Sequence, residues 1–348
     1  MKVLFCSHLG EEKEPVARAW AKWLRTEGHD ITFVVPRGGY GRLPSLKEWR
    51  KVRKTLRGKD VIICCDIWSL MYVYLNPGFK AMKVYSCFEL YSEIVPWNLT
   101  VKIERKWIEW LEGRLIRSDW KWIFGNEERR TFYNSKYSGR GGDVILNYPA
   151  PVDLDLFDCR RELTSILLVG TINNRIPIAD LKFIAWYCSC HRIKLVIAGS
   201  IQDQFRELED YSSVELLPYK KGDEYVELLA QSSLGFAAYV KEGKNYELCA
   251  PVKVYDYLYS GMPLLTSDQV TLKSMATDTP GMRTYELGNF ESLHQQLEEL
   301  RLNWGHYSKE AMDGVAAYQD DEHLFGRGLR AVLELDSVRP SATGQKLC

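Results

Sequence analysis

One grammar repeats through this chain: a short apolar run, a loop, a segment with apolar residues at helical spacing, then another apolar run. It opens MKVLFCSHLG, PVARAWAKWLRTEGHD, ITFVVPRGG. Val16, Ala19, Trp20, Trp23 and Leu24 keep helical spacing, and Gly28 stands where a C-terminal cap is wanted. DVIICCD, AMKVYSCFEL, WKWIFGN and GDVILNYP continue the series as strands, with IERKWIEWLEGRLIRSD as a long helix among them. Apolar runs separated by helices predict a parallel sheet, because parallel neighbours require a crossover and the crossovers cover both faces.

The pattern then starts again. SILLVGTI, IKLVIAGS, VELLPY and LGFAAY read as strands, and IADLKFIAWYCSC, DQFRELEDY and DEYVELLAQS as helices. Between the two series, NYPAPVDLDLFDCRRELTS has two prolines and no periodicity, as a connection would. The 348 residues suffice for two cores. The expectation is an α/β chain of two doubly wound, Rossmann-like domains, 1–150 and 151–335, with a tail at 336–348. Such folds bind ligands at the carboxyl ends of their strands, here in a cleft between two sheets.

Charge divides the chain where the pattern does. Residues 1–150 hold 26 Lys+Arg against 17 Asp+Glu, and subtraction from the totals of 46 and 46 leaves 20 against 29 in the rest. Nine of the 11 Trp also fall in the first part. A basic, Trp-rich half suits an anionic partner: a membrane surface, a lipid-linked phosphate, or DNA. The nine cysteines form no C-x-x-C pair, which argues against a zinc site or disulfide framework. The opening apolar run is too short for a secretory signal, and the run at 61–75 is broken by Asp66. A cytoplasmic chain is expected, with peripheral membrane contact as a variant. Trp107, Trp110 and Leu111 share a helical face, most simply a core face; the functional reading is an interfacial helix. EWRKVRKTLRGK at 48–59 is a second basic stretch.

The most informative segment is APVKVYDYLYSGMPLLTSD, residues 250–268. Lys253, Asp256 and Tyr257 fall on one helical turn, Gly261 and Pro263 end it, and Pro-Leu-Leu-Thr reads as a buried strand. Taken with ILLVGTINNR, LVIAGS and VELLPYKKGDEYVELLAQSSLGFAAY in this order, it resembles the C-terminal domain of GT-B glycosyltransferases. The similarity is to their retaining family 4, with its P-x-K-x-x-E-Y-L-x-x-G-x-P helix matched by Pro251, Lys253, Asp256, Tyr257, Leu258, Gly261 and Pro263. VYSCFELYSE, EGRLIRSDWKWIFGNEE and VILNYPAPVDLDLF resemble the family's N-terminal signatures, so the likeness covers roughly residues 1–330.

The resemblance implies a retaining transfer from a nucleotide sugar (UDP- or GDP-linked) to an acceptor hydroxyl on a lipid-linked or polysaccharide glycan. It places the acceptor in the first domain and the donor in the second. Asp256 would take ribose hydroxyls. Family members have Glu there and a second acid eight residues earlier; here that position is Leu248, and Glu247 is one residue off. Lys253 and Arg175 would stabilise the leaving diphosphate, aided by N–H groups around Cys249 and Ala250 at a helix N-terminus. Gly170 ends the preceding strand, and Gly10 would allow close backbone approach to phosphate or acceptor. Glu89 matches the acid of the family's His-Glu pair, while the His is replaced by Phe88; His8 is a possible substitute by position. No cofactor or metal is expected, and Asp153-Leu154-Asp155 is read as a loop pair. Three alternatives stay open: transfer to hydroxymethylated DNA bases, a catalytically silent nucleotide- or glycan-binding module, and a sugar-nucleotide epimerase of the same fold.

Overall fold

The computed structural model of the protein describes residues 1–37, 45–94, 99–139, 141–148, 157, 162–315 and 322–335. Two compact units emerge. One comprises Met1–Ser92, Pro96–Leu146 and the segment from Asp321 onward; the other comprises Asn147–Asp320 with Glu93–Val95. Asp153 and Asp155 lie outside the described residues, as does the expected tail at 336–348.

In the first unit, six strands pair in parallel: β1 (Lys2–Cys6), β2 (Asp30–Val34), β3 (Val61–Cys64), β4 (Met82–Cys87), β5 (Lys121–Phe124) and β6 (Asp143–Val144). Their order is β2-β1-β3-β4-β5-β6. The helices are α1 (Pro15–Thr26), α2 (Leu46–Leu56), α3 (Ile67–Tyr74), α4 (Leu99–Leu115) and α5 (Glu127–Tyr137). Proline opens α1, where its missing N–H costs nothing, and Val16, Ala19, Trp20, Trp23 and Leu24 are buried as their spacing predicts.

The expected division at 150/151 differs from the structure at the C-terminus. Residues 322–335, assigned by pattern to the second domain, belong to the first unit. There the last helix, α13 (Arg327–Val332), buries Leu329 and Val332. Gly328 permits close packing: a side chain would begin 2.8 Å from Ile145 Cγ1. Arg330 stacks 5.1 Å over the Trp23 ring and pairs with Glu27 at 2.5 Å, while Lys121 meets Glu334 at 3.2 Å. A six-residue apolar pattern cannot name its partner; these contacts do.

The second unit has another six-stranded parallel sheet. Its strands are β7 (Ser165–Ile172), β8 (Lys194–Ile201), β9 (Val214–Leu217), β10 (Leu234–Ala237), β11 (Leu264–Ser267) and β12 (Met282–Tyr285). They are ordered β12-β11-β10-β7-β8-β9. Its helices are α6 (Ile178–His191), α7 (Asp223–Gln231), α8 (Lys244–Glu247), α9 (Val252–Tyr259), α10 (Val270–Asp278), α11 (Phe290–Leu302) and α12 (Trp304–Gly314). The segment 203–210, expected as an α-helix, is 3-10 helix, and Phe205 and Leu208, three apart, are its buried pair. Three residues per turn align positions i and i+3, which suits this spacing.

The α4 face also differs from expectation. Its buried residues are Val101, Ile108, Leu111, Glu112, Gly113 and Leu115. Trp110 is 52% exposed, with Leu99 at 71% and Ile103 at 62%. Trp107 and Trp110 are therefore not core residues; their rings lie 6.5 Å apart, with Tyr74 edge-on to Trp110 and Arg114 over it. Among the described residues no helix is long and apolar enough to cross a membrane.

On the buried face of α4, Glu112 accepts hydrogen bonds from the Tyr133 hydroxyl at 2.8 Å and the Tyr137 hydroxyl at 3.2 Å. Burial pushes its carboxyl up to about 7, against the pull of these donors and of Lys136. A carboxyl with a raised folded pKa keeps its proton where the unfolded chain has lost it. Its stabilising share is complete below about 4.5 and is lost as pH rises toward 7. Urea unfolding of Glu112→Gln should therefore show a smaller loss of stability between acid and neutral pH than the parent, by about 3 kcal/mol.

Candidate functional site

The second unit's sheet opens at one place. β7 pairs with β8 over eight residues from Ser165 to Ile172, but with β10 only at Ile166–Leu234 and Leu167–Gly235. Beyond that point the β10-facing edge of β7 has backbone groups without a strand to bond. The Tyr257 hydroxyl of α9 satisfies them, accepting from Val169 N–H at 3.1 Å and donating to Leu167 C=O at 3.1 Å. Its ring fits because residue 235 is glycine: a side chain there would begin 2.5 Å from the Tyr257 ring. The chain's connections reverse direction between β7 and β10, which makes this the switch point of the sheet.

Gly170, expected to end its strand, lies two residues before the end of β7, since pairing with β8 runs on to Ile172; it is in the left-handed region at φ 112° and in register with Gly199. A side chain at Gly199 would collide with the Gly170 carbonyl, so both glycines are needed for the strands to run together. A side chain at Gly170 would begin 3.5 Å from Lys253 Nζ. The Lys253 ammonium thus overlooks bare backbone at the strand's carboxyl end, with the Tyr239 ring centroid 5.4 Å away. Its desolvation pushes the pKa down to about 8, opposed by the charges of Cys249 and Asp256. Among the described residues Nζ makes no hydrogen bond or ion pair.

Asp256 lies one turn further along α9, where i and i+3 share a face. Its Oδ2 accepts from the Tyr225 hydroxyl of α7 at 2.7 Å. Carboxylate oxygens have about four lone-pair sites, so this bond leaves capacity for others. Arg175 is exposed on the loop after β7, its guanidinium 5.3 Å from the Tyr246 ring of α8, and its carbonyl accepts from Val240 N–H at 2.9 Å. The loop after β10 thereby joins the two cations: Tyr239 lies under Lys253, and Val240 is bonded to the Arg175 backbone.

The remaining expected residues are placed less directly. Glu247 is ion-paired with Lys244 on α8, and Leu248 is buried. Cys249 N–H is bonded to Tyr246 C=O at 3.3 Å, while Ala250 is buried with its carbonyl held by Asn147 Nδ2 at 3.2 Å. With Cys249 N–H committed, Pro251 without one and Val254 N–H bonded to Pro251 C=O at 3.0 Å, the N–H groups left at this end among the described residues are those of Ala250, Val252 and Lys253.

In the first unit, Gly10 has φ 77° in the loop after β1, and a side chain there would begin 3.1 Å from Val35 Cγ2. The same loop carries His8, whose Nδ1 lies 3.1 Å from Asp66 Oδ2. Glu89 follows β4, its carbonyl accepting from the Cys87 thiol at 3.3 Å. Phe88 packs its ring on Trp20 at 5.6 Å, and its carbonyl accepts from the Arg129 guanidinium. Sequence reasoning missed Asp66, Tyr225, Tyr239 and Tyr246 as participants. A tyrosine in an apolar run carries no mark of what its hydroxyl meets, and Asp66 registered only as a break in hydrophobicity. No group of three or more metal-ligating side chains is assembled among the described residues.

Replacing Tyr257 by Phe leaves the Val169 N–H and Leu167 C=O buried without partners. The expected cost is about 2–4 kcal/mol in urea unfolding, with little change in shape.

No family model and no curated protein matches the chain. Solved structures do. A sucrose-phosphate synthase from Thermosynechococcus elongatus superposes with a TM-score of 0.72 at 13% identity, over 97% of this chain and 100% of that one. The Anabaena protein HepE, in complex with UDP and glucose, gives 0.67 at 13% over 97% and 100%. WaaG, a glycosyltransferase involved in lipopolysaccharide biosynthesis, gives 0.66 at 12% over 95% and 99%. With two six-stranded parallel Rossmann-like sheets and these superpositions over nearly its whole length, the chain has the GT-B fold.

Proposed function

We propose that this chain is a glycosyltransferase that moves a sugar from a nucleoside-diphosphate donor, UDP- or GDP-linked, to a hydroxyl of a lipid-linked or polysaccharide glycan. The observation that carries the reading is the Lys253 ammonium, poised against Gly170 at the switch point of the second unit with Asp256 one turn away. The UDP and UDP-glucose complexes of HepE support a uridine donor.

In this reading the anomeric C–O bond breaks and its electron pair goes to the diphosphate. Lys253, Arg175 and the N–H groups at the start of α9 stabilise the charge that develops there, a contribution that matters most in a site poor in water. Gly170 keeps the approach open. Asp256 takes a ribose hydroxyl beside its bond to Tyr225, and Glu247, paired with Lys244, is secondary. Glu89 and Gly10 serve the acceptor side. Retention follows from the family resemblance: the acceptor oxygen bonds C1 on the face the phosphate leaves, and its proton passes to that phosphate. Fixed cations supply the charge stabilisation, so a divalent metal is not required.

The exposed α4 face supports a membrane-apposed acceptor. Leu99, Ile103 and Trp110 are separated by four and seven residues, and Lys106 and Arg114 flank them on the same helix. Apolar and aromatic groups at headgroup depth with cations toward anionic lipid is an interfacial arrangement.

Nucleotide release across a panel of UDP- and GDP-sugars should identify a donor, and Lys253→Ala should lower kcat by about 10²–10³. No release from any donor and no thermal stabilisation by UDP or GDP would sink the reading. Because Lys253 must be charged to hold a diphosphate, UDP affinity should fall as pH rises through about 8 and above, and this dependence should vanish in Lys253→Ala. Vesicles rich in phosphatidylglycerol should bind the protein in a salt-sensitive manner, with Trp110→Ala plus Ile103→Ser weakening binding roughly tenfold or more. Preference for duplex DNA over vesicles would point instead to a polynucleotide acceptor.

A further inference from the structure

The Lys253 ammonium faces an aromatic ring and makes no hydrogen bond among the described residues, so whatever fixes that ring also governs the charge. The ring belongs to Tyr239, in the loop after β10. β10 and β11 pair from Gly235–Leu264 to Ala237–Thr266, and past that point side chains take over from the backbone ladder. Tyr239 N–H donates to the Ser267 hydroxyl at 3.3 Å, that hydroxyl donates to Gln269 Oε1, and Gln269 Nε2 donates to Tyr239 C=O. The three bonds close a circuit in which each member gives and receives once, and both backbone polar groups of residue 239 are clamped. Ser267 and Gln269 are buried, so water does not compete for these bonds. Gln269 also stands at the N-cap of α10, yet its side chain caps nothing there. Its amide goes to the neighbouring loop instead.

The two residues that follow are tied in alternating directions. Val240 N–H donates to Arg175 C=O at 2.9 Å, toward β7, and Lys241 Nζ pairs with Asp268 at 2.8 Å, toward β11. Asp268 in turn accepts from Leu287 N–H at 3.1 Å, just past β12. The loop is thus anchored to the segments that leave three strands, and the Tyr239 ring has little freedom to slide.

A cation over a ring face is drawn to the ring's negative quadrupole, most strongly where water is excluded. The attraction acts on the charged amine alone, so the ring opposes the burial that works to discharge Lys253. The charges of Cys249 and Asp256 act in the same sense from the segment that carries Lys253, and β7 sets only the Gly170 backbone against the amine. Distance and tilt decide how much the ring contributes, and the clamp on residue 239 sets both.

We infer that Tyr239 is the positioning residue for the Lys253 ammonium, and that Ser267 and Gln269, too buried to touch a ligand themselves, aim its ring by clamping the backbone of residue 239. The inference rests on the transferase reading, which supplies the diphosphate that Lys253 receives, and deepens it: the cation's readiness is set from the far side of β11.

The test uses the full chain, isotope-labelled at lysine and first without ligand. The Lys253 ε-methylene resonance, assigned by its loss in Lys253→Arg, should lie upfield of the other lysines because of the ring current, and should titrate at about 8. Tyr239→Phe should keep both properties. Tyr239→Leu should abolish the upfield shift and lower the titration midpoint by roughly one pH unit. Gln269→Met and Ser267→Ala, which open the circuit at different corners, should each move both readouts the same way by less. Lys241→Ala cuts another tie of the same loop and should move neither. A merely structural role for the buried pair would lower the melting temperature and leave the Lys253 resonance where it was. With UDP added at pH 8, Tyr239→Leu should weaken binding about fivefold, since a one-unit drop takes the charged share from roughly a half to roughly a tenth. A Lys253 resonance without an upfield shift in the parent, or one that neither Gln269→Met nor Ser267→Ala moves, would overturn the inference. Absence of UDP binding by the parent would instead overturn the donor reading, and the resonances would still decide the clamp.

Discussion

A phenol standing in for a missing strand holds the second unit's site together. Where β10 departs from β7, two backbone groups would be left buried and unpaired, at a cost of about 1–3 kcal/mol each. Tyr257 satisfies both with one hydroxyl, and in doing so fixes the rotation and depth of α9 on the sheet. That rotation decides where Lys253 and Asp256 go, since they share a short helix with the anchor. Glycines at 235, 170 and 199 are the complement: each is a place where any side chain would collide with the ring, strain the strand or block the neighbouring backbone.

The same economy governs the electrostatics. A lysine ammonium taken out of water beside a tyrosine ring, with no hydrogen-bonded partner among the described residues, is a charge kept at a cost. Such a group is stabilised when an anion arrives, and its depressed pKa records the free energy that binding would recover. In the first unit the polar groups at the strand ends have the opposite sign. Asp66 is satisfied by a helix cap, a serine and a histidine, and Glu14 avoids the penalty of burial by holding a proton. The two units present unlike chemistry at equivalent places in like sheets, and the net charge of each half does not foretell it.

Much of the fold was legible because parallel α/β architecture writes itself into local pattern. Among the described residues, eleven of the twelve strands form where apolar runs lie; β12, MRTY, is too short and mixed to read as one. α10, α11 and α12 were likewise not singled out, being ordinary amphipathic segments without a motif. The α4 face was misjudged because Trp is apolar enough to read as core, whereas burial depends on what lies opposite; Ile108 and Leu111 are buried and Trp110 is not. In the site, Lys253, Asp256 and Gly170 were readable from spacing on one helix and one strand end. The ion pair of Glu247 with Lys244 and the bond of Cys249 N–H to Tyr246 C=O were not, because they depend on how one short turn closes.

What the order of residues determined by itself is the alternation of buried strands and covering helices, hence two parallel sheets, and the placement of a lysine and an aspartate one turn apart on one short helix. These follow from periods of 3.6 and from chain connectivity, which are local properties. Only the tertiary structure decided that the last helix returns to the first unit, that a tyrosine hydroxyl closes the gap in β7, and that His8 meets Asp66 across 58 residues of chain. Those outcomes depend on surfaces and unpaired polar groups that exist only after the sheets have formed, so nothing in the spacing of the residues could express them.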